Sequence, residues 1–375
     1  MVRRPSKRAR AGQWVLLAGV LLAGWWLASL AGASLARRHA PFGFGFLADG
    51  ANFDIPFRLV PWEVGDTYGR ALLVCVLNTL LVSAISIVAA TLLGLLVGIM
   101  RLSSNWLIRN LALWFIEAIR NTPQLVQLFF FYVAVLQTLP SPRNSIPLGG
   151  GALLNIRGLY LPTAAAGPRG AVLWPLALLA LISTPFLWRT TRFSGGRGVP
   201  FGPKALLLPV LALVLFAAGI GEISLPQLQG FNIAGGVQVP PELVALSVGL
   251  SLYAAAFIAE IVRASILSVH RGQREAALSL GLTPGQVLAK VVLPQALRVM
   301  IPPLTSQYMN IIKSSSLGAA IAYPELFQIF AGTVLQQSGR ELECMLLLMA
   351  VFLSINLSTS VFMNWYNRRV ALTTR

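Results

Sequence analysis

Long apolar runs, separated by short stretches rich in charge, glycine or proline, set the pattern of this chain. A bilayer core of roughly 30 Å takes about 20 apolar residues of α-helix to cross. Eight runs approach that length: 14–35, 71–100, 111–139, 171–188, 205–220, 242–262, 299–322 and 342–366. The third is interrupted by Glu117, Arg120 and Pro123, the fifth is short, and the seventh contains Pro302, Pro303 and Lys313. The first follows Arg3, Arg4, Lys7, Arg8 and Arg10, the basic head of a signal peptide. Its apolar stretch nevertheless exceeds a signal core of about 7–15 residues, so a retained helix is expected. The pattern predicts an all-α fold, a polytopic membrane helix bundle of about eight transmembrane helices.

Composition agrees. Hydrophobic residues make up 56% and charged residues 11% of the 375, and mean hydropathy is +0.73. A soluble domain carries roughly 45–50% apolar and about 25% charged residues, which excludes an ordinary water-soluble globule. The net charge of +17 would suggest nucleic acid or an anionic surface, but position changes that reading. With the N-terminus in the cytoplasm, twenty of the 29 Lys+Arg fall in cytoplasmic segments and eight outside, leaving Lys313 in the membrane. Basic residues concentrate on the cytoplasmic side of membrane proteins, so both termini are expected there. Nine acids, Glu325 among them, offset the outer arginines. The basic balance is thus a topology signal, and no nucleic-acid partner is expected. Cys75 and Cys344 lie inside apolar runs, with neither disulfide-framework nor metal-ligand spacing. Two histidines, His39 and His270, are too few for a His-based metal site, and none is expected.

Loop-rich stretches at 140–170 and 221–241 bracket the fourth and fifth runs, which a Gly/Arg-rich link (194–203) joins. These read as an insertion into a smaller core. The expected organisation is a tail, first helix and outer loop (1–70), core helices two and three (71–139), an inserted hairpin with helices four and five (140–241), core helices six to eight (242–366) and a cytoplasmic tail (367–375). Gly94 and Gly98 give the second run a small-xxx-small spacing that lets helices approach closely, one that chance also produces in a helix rich in Ala and Gly.

The cytoplasmic loop 263–298 carries the sharpest local chemistry. Glu275–Leu280 is a run of strong helix formers, and Gly281 suits the left-handed stop of a helix. Thr283, Pro284 and Gln286 then spell an N-cap, a first-turn proline and a capping box. A compact helix–turn–helix is predicted, with paired alanines that let a partner pack close. Glu275, Ala276, Ala277, Gly281, Val291, Leu293 and Pro294, at their spacing, resemble the "EAA" loop of bacterial ABC-importer permeases, with Val291 in place of the commoner Ile. Residues 117–128, with Arg120, Thr122, Pro123 and Gln127, resemble the polar amino-acid branch of that family, as do residues 259–264. Residues 302–308 and 313–317 are similar to the general L-amino-acid permeases.

The resemblance implies a five-helix type I importer core in the bacterial inner membrane, and a permease subunit that moves polar or general L-amino acids. Those seven loop residues would then couple it to a cytoplasmic ABC ATPase dimer. It also implies a second permease subunit (a paralogue or a second copy), a periplasmic amino-acid binding protein, and lipid around the bundle. The chain itself would bind no cofactor, with ATP and Mg²⁺ held by the ATPase. Consistently, no Gly-rich phosphate loop followed by Lys-Ser/Thr occurs.

Ionisable residues inside spans are functional candidates by default. Lys313, next to Ser314, follows Gln307 and Tyr308 in a run that Pro302 and Pro303 are expected to weaken. With Asn78 and Glu260 these make the candidate substrate path. In relatives that move cationic amino acids an acid often stands at the place of Gln307, so its neutrality argues against a basic-only substrate. Simpler accounts exist. Lys313 would meet a helix-end carbonyl, and Glu260–Arg263 and Glu117–Arg120 would pair at i,i+3. The hydroxyls of Thr79 and Ser83 would bond their own backbone.

Two other classes compete. The segment 249–252 faintly resembles a serine nucleophile motif, but both histidines lie outside the spans, so a catalytic base is missing; no catalytic residue is expected. An ion-coupled secondary transporter would need midplane acids or broken helices, and no acid falls near the centre of any run.

Overall fold

A computed structural model of the protein describes residues 7–37, 42–191 and 207–370. The first six residues, His39, the 194–203 link and Arg375, all used above, lie outside the described residues. The chain is mainly helical, in the order α1 (Lys7–Arg37), α2 (Tyr68–Met100), α3 (Trp106–Arg120), α4 (Gln124–Phe129), α5 (Gly170–Thr191), α6 (Leu207–Ala218) and α7 (Pro241–Leu267). It continues with α8 (Arg271–Ser279), α9 (Pro284–Val287), α10 (Leu293–Ser314), α11 (Leu335–Ser338) and α12 (Glu341–Val370). Among the described residues four helical segments are long and apolar enough to cross a membrane: Tyr68–Met100, Pro241–Leu267, Pro284–Ile321 and Glu341–Asn367. They correspond to the second, sixth, seventh and eighth expected runs.

The third run departs from the expectation of one span. Asn105 caps α3 by accepting the backbone N–H groups of Leu107 (2.9 Å) and Ile108 (3.3 Å). The chain then turns at 121–123, and α4 opens after Pro123. Pro123 cannot donate to the helix behind it, and it biases Thr122 away from the helical region. Gln127 holds the turn, its amide donating to the carbonyls of Ile119 (2.8 Å) and Thr122 (3.0 Å). The seventh run departs in the opposite sense. α10 continues through Pro302 and Pro303, and its tightening comes later, in a 3-10 stretch at Ser315–Ile321. The Thr305 hydroxyl donates to the carbonyl of Ile301 (2.9 Å), satisfying an acceptor beside the prolines.

The loop-rich insertion is not purely helical. Eight short strands flank the α5–α6 hairpin: β1 (Ile146–Leu148), β2 (Ala152–Asn155), β3 (Gly158–Leu161), β4 (Thr163–Ala166), β5 (Ile220–Ser224), β6 (Gln227–Gln229), β7 (Asn232–Ala234) and β8 (Val237–Val239). They form an antiparallel four-stranded sheet, β1-β2-β3-β8, a two-stranded sheet β4-β5 that closes the base of the α5–α6 pair, and a β6-β7 hairpin. β8 runs directly into α7 through Pro240. A Cβ on Gly158 would sit 2.2 Å from the Val239 carbonyl oxygen, and its φ is +112°, so only glycine lets these strands close there.

α2 and α7 form the tightest helix pair, and the small-xxx-small spacing proves structural. A Cβ on Gly94 would approach Ile258 to 2.6 Å, and one on Gly98 would approach the Ala259 carbonyl oxygen to 2.8 Å. Replacing Gly94 with leucine is expected to destabilise the bundle by about 1–3 kcal/mol through overpacking. Thermal unfolding of the detergent-purified chain checks this, with Gly24→Ala as a control, since a Cβ there meets nothing within 4 Å.

The 42–67 loop packs on the start of α2 and on residues 326–334, burying Phe46, Ile55 and Trp62. Asn78 belongs to this core. Its side-chain amide donates to the carbonyls of Phe57 (2.9 Å) and Pro324 (2.8 Å). Glu325, counted above among the outer acids, is fully buried. Its carboxylate accepts the backbone N–H groups of Phe327 (2.8 Å) and Gln328 (2.6 Å), capping the helical segment that follows.

Candidate functional site: an exposed capped helix and a polar pocket

The loop after α7 folds by the local chemistry of its sequence. α8 starts earlier than expected because His270 caps it, Nδ1 accepting the Gly272 N–H at 3.1 Å. Only the fold shows this role for His270. Gly281 follows the helix at φ +79°, and the N–H groups of Gly281 and Leu282 donate to the carbonyls of Leu278 (2.9 Å) and Ala277 (3.3 Å). Thr283 then opens α9 with a reciprocal capping box: its N–H donates to Gln286 Oε1 (3.0 Å), and its hydroxyl accepts the Gln286 N–H (3.4 Å). Removing that hydroxyl (Thr283→Ala) is expected to lower local stability by about 1 kcal/mol. Faster amide exchange over α9, without change in α2 or α7, is the readout.

Within α8, Ala277 is buried against the bundle while Glu275, Ala276 and Leu278 are exposed, and Leu280 beyond its end is 83% exposed. Val291 is half-buried, and Leu293 and Pro294, in the first turn of α10, are exposed. The seven sequence-predicted residues therefore lie on one continuous helix–turn–helix, with a small-residue and leucine surface left uncovered.

A second feature lies inside the bundle. α4, α7 and α10 enclose a cavity of about 90 Å³ lined by Gln124, Tyr253, Ala254, Phe257, Gln307, Asn310, Ile311 and Ser314. Its polar lining is amide and hydroxyl; no charged side chain is among its lining residues. On α10 the residues 307, 310, 311 and 314 follow the i, i+3, i+4, i+7 spacing of one helix face. Phe257 carries the Arg120 guanidinium over its ring, 5.1 Å from the centroid, within cation–π range. Glu117 engages Asn121 instead, through a 3.1 Å hydrogen bond. One turn beyond Phe257, Glu260 is held by Arg263, whose Nε donates to both carboxylate oxygens at 3.1 and 3.0 Å.

Of the six residues expected on the substrate path, Gln307 and Ser314 meet in this pocket. Tyr308 faces α2, its hydroxyl 3.0 Å from Thr91 Oγ1. Asn78 is a core bracket, Glu260 is ion-paired, and Lys313 is exposed on the last turn of α10, with no ion pair among the described residues. A cation there suits the negative end of the helix dipole. Gln124, Asn310 and Tyr253 line the pocket without having been singled out. The polar stripe on α10 was the signal that could have found Asn310.

Residues 203–372 match the family described as binding-protein-dependent transport system inner membrane component. YhdX of Escherichia coli (strain K12) is 46% identical over 99% of this chain and 96% of its own length. The chain belongs to the ABC-importer permeases, in their polar amino-acid branch. The general L-amino acid transport system permease protein AapQ of Rhizobium johnstonii is 42% identical over 96% of this chain and 92% of its own length. The glutamate/glutamine/aspartate/asparagine transport system permease protein BztB of Rhodobacter capsulatus is 38% identical over the same shares. In fold, the chain is similar to a subunit in the crystal structure of an amino acid ABC transporter with histidines, with a TM-score of 0.50 at 20% identity, covering 80% of this chain and 95% of that one. The permease is therefore a multi-pass inner-membrane transport subunit with the importer fold, and it carries eight short strands between residues 146 and 239.

Proposed function

We propose that this permease passes L-amino acids through the pocket between α4, α7 and α10, and that α8 with its capped turn couples it to a separate cytoplasmic ATPase. The observation that carries the coupling role is the surface of α8. A well-capped helix keeps Ala276, Leu278 and Leu280 exposed at the end of the bundle that the charge distribution assigns to the cytoplasm, a surface suited to a protein groove. Both termini fall on that side in this reading. ATP and Mg²⁺ sit on the ATPase dimer. Closure of that dimer draws the coupling helices together and moves the pocket between its two accessible states. The drive is a differential contact, since a partner shifts an equilibrium only by binding its two states unequally.

The pocket supports polar amino acids as cargo. Gln124, Gln307, Asn310 and Ser314 offer both donors and acceptors to a zwitterion, and the absence of an acid among the lining residues disfavours a basic-only substrate. At about 90 Å³ the cavity is small beside the roughly 300–1,000 Å³ of ligand sites, and Asn310 is exposed. A second permease subunit, paralogue or copy, would complete the pathway, and an extracytoplasmic binding protein would deliver the amino acid.

Co-purification from the native membrane tests the assembly. An ABC ATPase and a second permease are expected in the complex, with ATPase activity stimulated by a loaded binding protein. A lone chain that moves amino acids without ATP would establish ion-coupled secondary transport instead.

A further inference from the structure

Beside the coupling helix lies a second, larger cavity. A groove of about 640 Å³ runs between the last turns of α2, the start of α3, the end of α7 and the turn into α10. Its walls are aliphatic, led by Leu96, Ile99, Ile108, Leu288 and Leu293, and Arg274 of α8 is the one charged residue among its described lining. Nη2 of Arg274 donates to the Ile266 carbonyl at 2.8 Å, while its Nε is buried without a partner. Arg274 makes no ion pair with a described acid. Glu260 is engaged by Arg263, and the adjacent Glu275 is exposed. Two more guanidinium groups border the groove in sequence, Arg101 between the lining residues Met100 and Leu102, and Arg109 after Ile108.

We propose that this groove binds one anionic phospholipid, its acyl chain along Leu96, Ile99 and Leu288 and its phosphate on Arg274. The chemistry is complementary at both ends. An aliphatic channel takes an alkyl chain, the guanidinium N–H groups that the Ile266 carbonyl leaves free can donate to a phosphate oxygen, and basic pockets between transmembrane helices suit anionic headgroups. A zwitterionic lipid would bring its own ammonium to the same rim and gain less there. The volume falls within the roughly 300–1,000 Å³ of small-molecule sites. Arg274 and Leu293 both belong to the segment 271–294, so a seated lipid braces α8 against α2 and α3. The binding site itself requires only that the chain spans a membrane; its influence on transport rests on the coupling role proposed above.

The test uses the whole transporter complex in mild detergent, with native mass spectrometry after addition of phosphatidylglycerol or phosphatidylcholine. The wild-type complex is expected to retain phosphatidylglycerol about tenfold better than phosphatidylcholine. Arg274→Gln should remove that preference, Arg274→Lys should restore part of it, and Leu288→Trp, which fills the groove, should lower retention of phosphatidylglycerol. Equal retention of both lipids by the wild type would overturn the proposal even if every variant failed to assemble. So would undiminished phosphatidylglycerol on a folded Arg274→Gln complex, or a protein segment cross-linked into the groove where the lipid should lie. A wild-type assembly that retains phosphatidylglycerol selectively but carries no ATPase would count against the coupling role alone.

Discussion

Exchanging Gly281 for valine together with Glu275 for lysine is expected to cut binding-protein-stimulated amino-acid uptake by at least about tenfold, while the permease still inserts and folds. Gly281 adopts φ +79°, and a Cβ there would meet nothing within 4 Å. The harm is therefore one of backbone conformation, not crowding. A β-branched residue in the left-handed region costs about 1–2 kcal/mol, enough to redirect a short turn but not to unfold a bundle that has two further cores away from this segment. Charge reversal at exposed Glu275 adds repulsion wherever the ATPase groove expects an anion. Because about 1.4 kcal/mol is a factor of ten in binding, the two changes together should release the ATPase. Uptake into proteoliposomes and ATPase co-purification measure this, and Gly281→Asn, which tolerates positive φ, should recover much of the single-site loss.

The second large effect is expected at the pocket. Gln307→Glu places a carboxylate among amides and a hydroxyl, in a pocket whose lining carries no charged residue of its own. A charge-assisted hydrogen bond contributes about 1.5–3 kcal/mol. The variant should therefore shift preference toward cationic amino acids by about tenfold and reject acidic ones by a similar factor. Competition between labelled arginine, glutamine and glutamate in proteoliposomes reads out the change. A uniform loss for all three would mark Gln307 as structural and not as a lining residue of the path.

These effects fall where local chemistry is most legible. The caps at Gly281 and Thr283 could be read from the chain because each needs only its neighbours within a few residues. Long apolar runs likewise gave α2, α7 and α12, since helices of that length carry their own signal. The strands at 146–239 stayed hidden because none exceeds five residues, too short for an alternating pattern to stand out. Their closure depends on partners such as Val239 opposite Leu159, far apart in sequence. Lys313 enters the candidate path as a charge inside an apolar run. A helix turns about 100° per residue, however, so Lys313 points away from the stripe of Gln307, Asn310 and Ser314. The burial of Glu325 is likewise not legible from its neighbours in sequence. Its burial is created by α2 and the 42–67 loop, which no local pattern reports.

The most direct test of the account is a photo-crosslinking amino acid at Ala276, on the exposed face of α8, activated in the native membrane. The prediction is a specific adduct with an ABC ATPase, lost when the same probe is placed at exposed Leu228 on the β6-β7 hairpin. Adducts from Ala276 with lipid or extracytoplasmic proteins, and none with an ATPase, would contradict it.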